Sequence, residues 1–281
     1  MRHPYDVWMI LVTGATGNIG SATVAALRAL GAGVRAVSRS EREWPAGVEG
    51  FVGDLGEPSI AAAANGVEAA FLLAGYGGEA ALLAALRAAG ARRVVLLSSS
   101  SAPSGAVHNA VARYHILSEQ AVAASGLRWT YLRPNSFYAN ALSWVPQLRA
   151  GDVVRGQFGD VPIAAVDPAD VGAVAALALT SDDHAGRAYR LSGPAALRPA
   201  EQVAILGAVL GRDLRWDGWT DEQARAELEA QMPREYVDAF FEFFVGGLVD
   251  ETTVQPTVPA LLGRPARSFG DWATANADAF R

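Results

Sequence analysis

The sequence predicts an α/β protein built on a Rossmann-type, doubly wound parallel sheet, with a smaller C-terminal α/β subdomain. From Met9 onward, short apolar runs alternate with amphipathic helical stretches, which is typical of parallel strands covered by helices on both faces. A glycine-rich turn directly follows the first apolar run. We therefore expect a dinucleotide-binding core over residues 9–134. Residues 135–281 are expected to form a mostly helical, substrate-side region that is partly interleaved with the core.

The elements of the core follow from apolar runs of strand length and from glycines that stop helices. Six strands are predicted at residues 9–12, 34–37, 50–52, 69–73, 93–97 and 128–132. The intervening helices are predicted at residues 19–30, 79–89 and 110–124, with Gly31, Gly90 and Gly126 following them.

Beyond Pro134 the pattern is less regular. It predicts a helix at residues 168–179, a strand at 188–191 and a helix at 199–210. Residues 220–249 read as two acidic helices separated at Pro233, and the second carries Tyr236 and Phe240. These aromatic side chains either line a substrate pocket or pack a small peripheral core.

The composition excludes several classes of function. The chain has no cysteine, so disulfides and thiolate sites are excluded, and its four histidines have no ligand spacing, so we expect no metal site. A formal charge of −6 argues against nucleic acid as a partner. No apolar run approaches the roughly 20 residues of a membrane-spanning helix. Residues 1–8 do not resemble a secretory signal, and we expect a cytoplasmic protein, monomeric or homodimeric, that acts on a small molecule.

The turn after the first strand has the chemistry of a pyrophosphate site. Gly14, Gly17 and Gly20 let the backbone approach the phosphates, and the helix that follows directs its N-terminus at their charge. The intervening Thr16, Asn18 and Ile19 are expected to contact the cofactor as well.

The end of the second strand bears on the choice between the two nicotinamide cofactors. It carries Ser38 and Arg39 and no carboxylate, which favours NADPH over NADH, because an arginine pairs with the 2′-phosphate. The alternative is that Arg39 is an ordinary exposed loop residue that does not contact the cofactor. After the third strand, Asp54 with Leu55 is expected at the adenine, or Asp54 caps the helix predicted near Pro58.

Further motifs follow in order along the chain. They are residues 98–100 (SSS), 115–119 (HILSE), 125–127 (SGL), 133–137 (RPNSF), 167–171 (DPADV) and 262–269 (LGRPARSF). Together with the glycine turn, they resemble the NmrA-like, atypical branch of the short-chain dehydrogenases, which includes type-2 NADPH:quinone oxidoreductases. This resemblance implies that Leu73, Ala74, Ser98, Pro134, Asn135 and Phe137 contact the cofactor. It implies that Phe137 and Asn140 lie at the substrate pocket. Tyr76 is also expected there, as are Tyr236 and Phe240 if the aromatic helix lines that pocket.

The sequence departs from the superfamily at its catalytic pair, Tyr-x-x-x-Lys. With Glu119 as the anchor, His115 occupies the lysine position and Val111 the tyrosine position. Tyr114 is adjacent to His115, and neighbouring residues on a helix point about 100° apart, so Tyr114 does not simply replace the tyrosine missing at Val111. His115, Tyr114 and Ser99 are the candidate catalytic residues. His115 either transfers a proton or only orients the cofactor ribose.

Loss of the tyrosine favours acceptors that need no positioned acid. A reduced quinone is a stable anion, whereas the alkoxide from a simple ketone is strongly basic. The preferred interpretation is an NADPH-dependent oxidoreductase acting on a quinone or another conjugated polycyclic or enone substrate. A non-enzymatic NAD(P)-binding redox sensor that acts through a protein partner and a tailoring enzyme of secondary metabolism, ketoreductase or cyclase, are the alternatives.

Overall fold

The computed structural model of the chain describes residues 9–281. Residues 1–8, for which the sequence predicts no secretory signal, lie outside the described residues. None of the helices in the described part is long and apolar enough to cross a membrane.

The described chain alternates strands and helices over most of its length. The strands are β1 (Met9–Val12), β2 (Gly33–Ser38), β3 (Val48–Val52), β4 (Ala69–Leu73), β5 (Arg93–Leu97), β6 (Arg128–Pro134), β7 (Val153–Gly156), β8 (Arg187–Leu191) and β9 (Arg215–Gly218). The α-helices are α1 (Asn18–Ala29), α2 (Glu79–Ala88), α3 (Ala110–Ala124), α4 (Val145–Ala150), α5 (Pro168–Thr180), α6 (Pro199–Leu210), α7 (Asp221–Glu229), α8 (Arg234–Phe244), α9 (Thr257–Leu262) and α10 (Phe269–Ala275). Short 3₁₀ helices lie at Pro58–Ala64, Ala102–Ser104, Tyr138–Trp144 and Ala277–Phe280.

A seven-stranded sheet in the order β3-β2-β1-β4-β5-β6-β8 forms the main sheet. The pairings among β1 to β6 are parallel, and Ile10 of β1 lies between Val34 of β2 and Ala69 of β4. The order of the strands reverses beside β1, where a doubly wound sheet binds its ligand at the carboxyl ends of the strands. This architecture confirms the predicted fold class, and the glycine turn follows β1 at this reversal.

The contacts divide the chain into two compact units, each assembled from three segments. Unit 1 comprises residues 9–99, Tyr114–Arg133 and Pro168–Tyr189. Unit 2 comprises Ser100–Arg113, Pro134–Asp167 and Arg190–Arg281.

In unit 1, helices pack closely against the apolar sheet. A Cβ at Gly172 of α5 would lie 2.6 Å from the backbone of Ala22 in α1, so glycine permits this close crossing of the two helices. A separate core joins the sheet to α2 and the 3₁₀ helix at Pro58–Ala64, with Ile60, Leu72 and Leu86 almost fully buried. Burial of such side chains stabilises the sheet that carries the glycine turn.

Unit 2 has its own core around Tyr138 and Phe269, whose rings meet edge to face at 5.3 Å. A small parallel sheet, β7 with β9, forms part of this unit. Both strands are four residues long, and the sequence pattern does not predict them. Such short strands carry too few residues for an alternating pattern to be recognised.

Candidate functional site

The glycine turn has the geometry that a pyrophosphate site requires. Gly14 adopts a positive φ of 60°, and a Cβ at Gly20 would overlap the carbonyl oxygen of Gly14. The fold itself therefore requires glycine at both of these positions.

Gly17 differs from its two neighbours. It has ordinary extended dihedrals, φ −84° and ψ 173°, and a Cβ there would only touch the Gly14 carbonyl oxygen at 3.4 Å. It forms the N-cap of α1, where no side chain caps the helix and no acidic residue occupies the first turn. The open N-terminus of this 12-residue helix, with space in place of a Cβ, fits an anionic ligand.

The other residues predicted in this turn flank the same opening. Thr16 and Asn18 are exposed, whereas Ile19, in the first turn of α1, is buried. Thr13, just before the turn, donates to the carbonyl of Phe71 and accepts from the N–H of Leu73, both at 3.0 Å. These bonds join the ends of β1 and β4, so the turn is held at fixed backbone positions.

The end of β2 presents one unengaged cation. Arg39 is exposed and contacts no acidic side chain among the described residues. Ser38 is buried, and its hydroxyl donates to the carbonyl of Ser40 at 2.8 Å. Because a hydroxyl has one proton, Ser38 can only accept from a further partner, whereas Arg39 is free to pair with a phosphate.

The loop after β3 is held by Asp54. One carboxylate oxygen accepts from the N–H of Gly56 at 2.8 Å, which closes a tight turn ahead of the 3₁₀ helix at Pro58–Ala64. Asp54 thus caps this turn and not the helix. Leu55 and Tyr76 line a small cavity of about 10 Å³ in unit 1 that also includes Leu73, and Ala74 lies next to it in sequence.

Ser98 belongs to an ion-pair cluster in unit 1. Its hydroxyl donates to Oε1 of Glu119 at 2.6 Å, and Arg133 donates to both oxygens of the same carboxylate, at 2.9 and 2.6 Å. The bidentate pair joins α3 to the carboxyl end of β6. Ser98 therefore has a structural partner, and Ser99, which follows it, is partly buried.

His115 lies one turn before Glu119 on α3. Its Nδ1 is buried and has no hydrogen-bond partner in the described part of the chain. Burial lowers the pKa of His115 to about 4, so the ring is neutral at physiological pH. An unsatisfied buried nitrogen fits a site whose partner is a ligand hydroxyl, such as one on a ribose.

Tyr114 is used for packing. Its ring lies 4.2 Å from the His115 ring, and a Cβ at Gly75 would lie 2.8 Å from its Cδ2 atom. Gly75 itself has a φ of 86°, so the loop after β4 needs glycine on both counts.

Ser118 and Glu79, to which the sequence assigned no role, hold the same loop. Ser118 accepts from the N–H of Gly75 at 3.0 Å and donates to Oε2 of Glu79 at 2.7 Å. Burial raises the pKa of the Glu79 carboxyl, whose Oε1 has no partner in the described residues. Ser118 stands four residues after Tyr114, so the helical period alone places both on one face of α3.

Unit 2 contains a cavity of about 570 Å³. Aromatic side chains dominate its lining: Phe137, Trp144, Phe158, Trp216, Trp219, Phe240 and Phe244. Carboxamide side chains supply most of its polar groups: Asn140, Gln147, Gln157, Gln202 and Gln231. The volume and the mainly aromatic lining are typical of a small-molecule site.

The charge of this cavity is low. Arg155 is the one charged residue in the lining, and its Nε donates to Asp217 at 2.8 Å across the β7 and β9 pair. The guanidinium of Arg155 is thus paired with a carboxylate and adds little net charge to the lining.

The cavity brings together three of the predicted pocket residues, Phe137, Asn140 and Phe240. Tyr76 instead lines the small cavity of unit 1, and Tyr236 does not line the large one. Of the aromatic side chains of α8, Phe243 is buried, whereas Phe240 and Phe244 line the cavity. The helix is anchored by Asn109, which donates to the carbonyl of Ala239 at 3.2 Å and to Glu242 at 2.8 Å.

The loop after β6 lies within unit 2. Pro134 and Asn135 are buried, and the Asn135 side chain donates to the carbonyls of Ala164 and Glu251, both at 3.2 Å. Ser136, the next residue, lines the cavity and donates to the carboxylate of Glu251. Glu251 lies in an irregular segment after α8, and no sequence signal pointed to it.

Comparisons with known proteins show the family to which the chain belongs. A family model described as NAD(P)H-binding matches residues 14–182, more than half of the chain. The chain is 41% identical over 280 residues to the (4-alkanoyl-5-oxo-2,5-dihydrofuran-3-yl)methyl phosphate reductase of Streptomyces griseus subsp. griseus, covering 97% of this chain and 99% of that protein. It is 35% identical over 285 residues to the NAD(P)H azoreductase of Xenophilus azovorans, with the same coverage of 97% and 99%.

A solved structure with the same fold is an NADPH-dependent quinone oxidoreductase from Escherichia coli. It superposes with a TM-score of 0.75 at 25% identity, covering 95% of this chain and 99% of that one. The predicted resemblance to NmrA-like proteins and quinone oxidoreductases is confirmed. The chain belongs to the NAD(P)H-binding family and is an NAD(P)H-dependent oxidoreductase.

Proposed function

We propose that this protein transfers hydride from NADPH to a neutral, conjugated carbonyl acceptor, either an enone such as a butenolide or a quinone. The cavity of unit 2 carries the proposal. Its three tryptophans and four phenylalanines suit a flat conjugated ligand, and about 570 Å³ is enough for a small ring system with a side chain.

The charge of the cavity favours an uncharged acceptor. Its polar lining is mostly carboxamide, and the guanidinium of Arg155 is engaged by Asp217. A buried anion without a paired cation is costly, whereas a carbonyl oxygen is satisfied by an amide N–H.

The proton chemistry favours conjugation. Val111 provides no acid, and His115 is neutral because burial lowers its pKa to about 4. A positioned acid is typically worth about 10² to 10⁴ in rate, so a ketone would be reduced slowly here. An acceptor whose reduced anion is stabilised by conjugation takes its proton from water after hydride transfer.

The Streptomyces relative acts, by its name, on a butenolide that carries an alkanoyl group. In such a compound two carbonyls activate one carbon–carbon double bond, and both stabilise the enolate that hydride addition produces. That substrate satisfies the chemical requirement set by Val111 and His115. The relative's substrate also bears a phosphate, which this cavity does not favour, because its arginine, Arg155, is already paired with Asp217.

The residues of unit 1 suit NADPH. The open N-terminus of α1 at Gly17 would hold the pyrophosphate, Arg39 the 2′-phosphate, and Nδ1 of His115 a ribose hydroxyl. NADPH, when bound, supplies the hydride. The protein supplies orientation, and His115 transfers no proton in this scheme.

Isotope transfer tests the proposed function. The protein is incubated with an alkanoyl butenolide and NADPH deuterated at the transferring position, and the product is analysed by NMR. We expect deuterium at the β-carbon of the former enone and a solvent hydrogen at the α-carbon. Deuterium on a carbinol carbon, or no product from butenolides and quinones alike, would contradict the proposal.

A further inference from the structure

The carboxylate of Glu251 accepts hydrogen bonds from two serines in unit 2, Ser100 and Ser136. Its Oε1 accepts from the hydroxyl of Ser100 at 2.7 Å. Its Oε2 accepts from both the hydroxyl and the N–H of Ser136, at 2.6 and 3.1 Å. No cation contacts this carboxylate within the described residues, so hydroxyl and N–H donors alone satisfy it.

The backbone around Glu251 is held in place. Its carbonyl accepts from the N–H of Ala164 at 2.7 Å and from the side chain of Asn135. The preceding Asp250 carbonyl accepts from Arg190, which also donates to Oδ1 of Asn135. Asp250 further caps the turn at Thr252 and Thr253, and these bonds hold the pKa of its carboxyl well below the usual range. The backbone hydrogen bonds of Asp250 and Glu251 therefore fix the position of the Glu251 carboxylate beside the two serines.

This arrangement determines whether the Ser136 hydroxyl donates or accepts a hydrogen bond toward the cavity. A serine hydroxyl has one proton and two lone pairs. At 2.6 Å from an anionic oxygen, the proton is committed to Glu251 in a charge-assisted bond. Because Ser136 also lines the cavity, what it offers to a ligand there is a lone pair.

We infer that Glu251 makes Ser136 an obligate hydrogen-bond acceptor, so that the cavity selects conjugated acceptors that bring a neutral hydroxyl to it. The inference rests on the proposed function for the reaction, but it concerns binding in unit 2. Ser136 is a specificity-determining residue, and Glu251 is a positioning residue that acts through it. An ether or carbonyl oxygen at the same place would meet lone pair with lone pair and leave Ser136 unsatisfied.

Two matched ligands test the inference. One is an alkanoyl butenolide with a hydroxymethyl group, and the other is its methyl ether, which has no donor. Because Trp144, Trp216 and Trp219 line the cavity, quenching of tryptophan fluorescence measures the Kd of each ligand without NADPH and without turnover. A failure of the proposed reaction therefore leaves this measurement interpretable.

We expect the hydroxymethyl compound to bind about tenfold more tightly than the ether, the effect of one good hydrogen bond. In Ser136→Ala, the ratio of the Kd of the ether to the Kd of the hydroxymethyl compound should be close to one. Glu251→Gln should also lower it or invert it, because a glutamine amide can donate to Ser136 and turn its proton toward the cavity. Ser100→Ala, which removes the other hydroxyl from the same carboxylate, should keep the wild-type ratio.

Three results would overturn the inference. Equal affinities in the wild type would show that the cavity does not discriminate. Equal loss of both ligands in Ser136→Ala and Ser100→Ala would reduce the cluster to a structural role. In Ser136→Ala, a raised Kd for NADPH with an unchanged ratio of the Kd values of the two butenolides would show that Ser136 accepts a hydrogen bond from the cofactor and not from the acceptor.

Discussion

The two units present different surfaces to a ligand. At the glycine turn of unit 1 the surface is backbone, because glycine removes the side chains and α1 offers the N–H groups of its first turn. In the cavity of unit 2 the surface is side chains, and seven aromatic residues come from separate parts of the sequence.

The difference is physical. Pyrophosphate is the same in every dinucleotide, so a fixed backbone site is sufficient to hold it. An acceptor is recognised by shape and by a few placed polar groups, which side chains supply and vary. Substitutions in unit 1 should therefore alter cofactor affinity, and substitutions in the cavity should alter acceptor affinity.

The largest expected effect is at Gly17. A valine there is compatible with the backbone but fills the space expected for pyrophosphate, so Gly17→Val should raise the Kd for NADPH by about 100-fold or more. Calorimetry gives the Kd, and circular dichroism should show an unchanged fold. Gly20→Ala is the control: its Cβ would overlap the Gly14 carbonyl, so it should destabilise the fold itself. Gly17→Val with wild-type affinity would show that the turn does not bind the cofactor.

The next effect concerns the cation at the end of β2. Arg39→Ala should weaken NADPH binding by about 10- to 100-fold, as expected for one charge-assisted pair, and leave NADH unchanged. Parallel titration with both cofactors measures this. Arg42, whose guanidinium lies 4.8 Å over the Trp44 ring, offers a matched control in Arg42→Ala, which should preserve the preference. If Arg39→Ala weakens both cofactors equally, Arg39 does not read the 2′-phosphate.

The aromatic lining should affect only the acceptor. Phe240→Ala removes a ring from the cavity wall and should raise KM for a quinone or butenolide by about tenfold, with an unchanged Kd for NADPH. Tyr236→Ala on the same helix removes a ring that does not line the cavity, so its KM should stay near the wild-type value. Equal changes in the two variants would argue that α8 serves packing alone.

The smallest effect is a dependence of stability on pH. Burial lowers the pKa of His115 to about 4 in the folded chain, below its ordinary value of 6.5, so the unfolded chain binds this proton more readily. The stability associated with a neutral His115 is fully present above pH 6.5. The free energy of unfolding decreases as the pH falls from 6.5 toward 4. Between pH 7 and 5 the loss should be about 1 to 2 kcal/mol.

Urea unfolding of the free protein at these two pH values measures that loss. His115→Gln should lose less stability on acidification than the wild type, while His108→Gln, at a side chain that is 69% exposed, should behave like the wild type. Identical pH dependence in all three proteins would contradict a buried, neutral His115.

The first strand and helix of unit 1 were predicted closely because their signals are local. Strand, glycine turn and helix are contiguous from Met9 to Ala29, and each glycine is read against its immediate neighbours. The assignment of Val111 and His115 to the positions of the catalytic pair likewise uses one helical repeat, and it stays a prediction.

The cavity was predicted only in part, because its residues are brought together by long-range packing. Phe137, Asn140 and Phe240 were foreseen, but Trp216 lies on a four-residue strand that has no recognisable pattern. Glu251 acts on Ser136 across 115 residues of sequence. The environment that lowers the pKa of His115 is a property of burial, which spacing alone does not give.

The most direct test of the account compares NADPH oxidation with a conjugated acceptor and its saturated ketone analogue. An alkanoyl butenolide and the same compound with its ring double bond reduced differ only in the group proposed to receive hydride. We expect kcat/KM for the butenolide to exceed that for the saturated analogue by at least about 100-fold, because no acid stands at Val111 to assist a ketone. Equal turnover of both compounds, or faster turnover of the saturated one, would contradict the account.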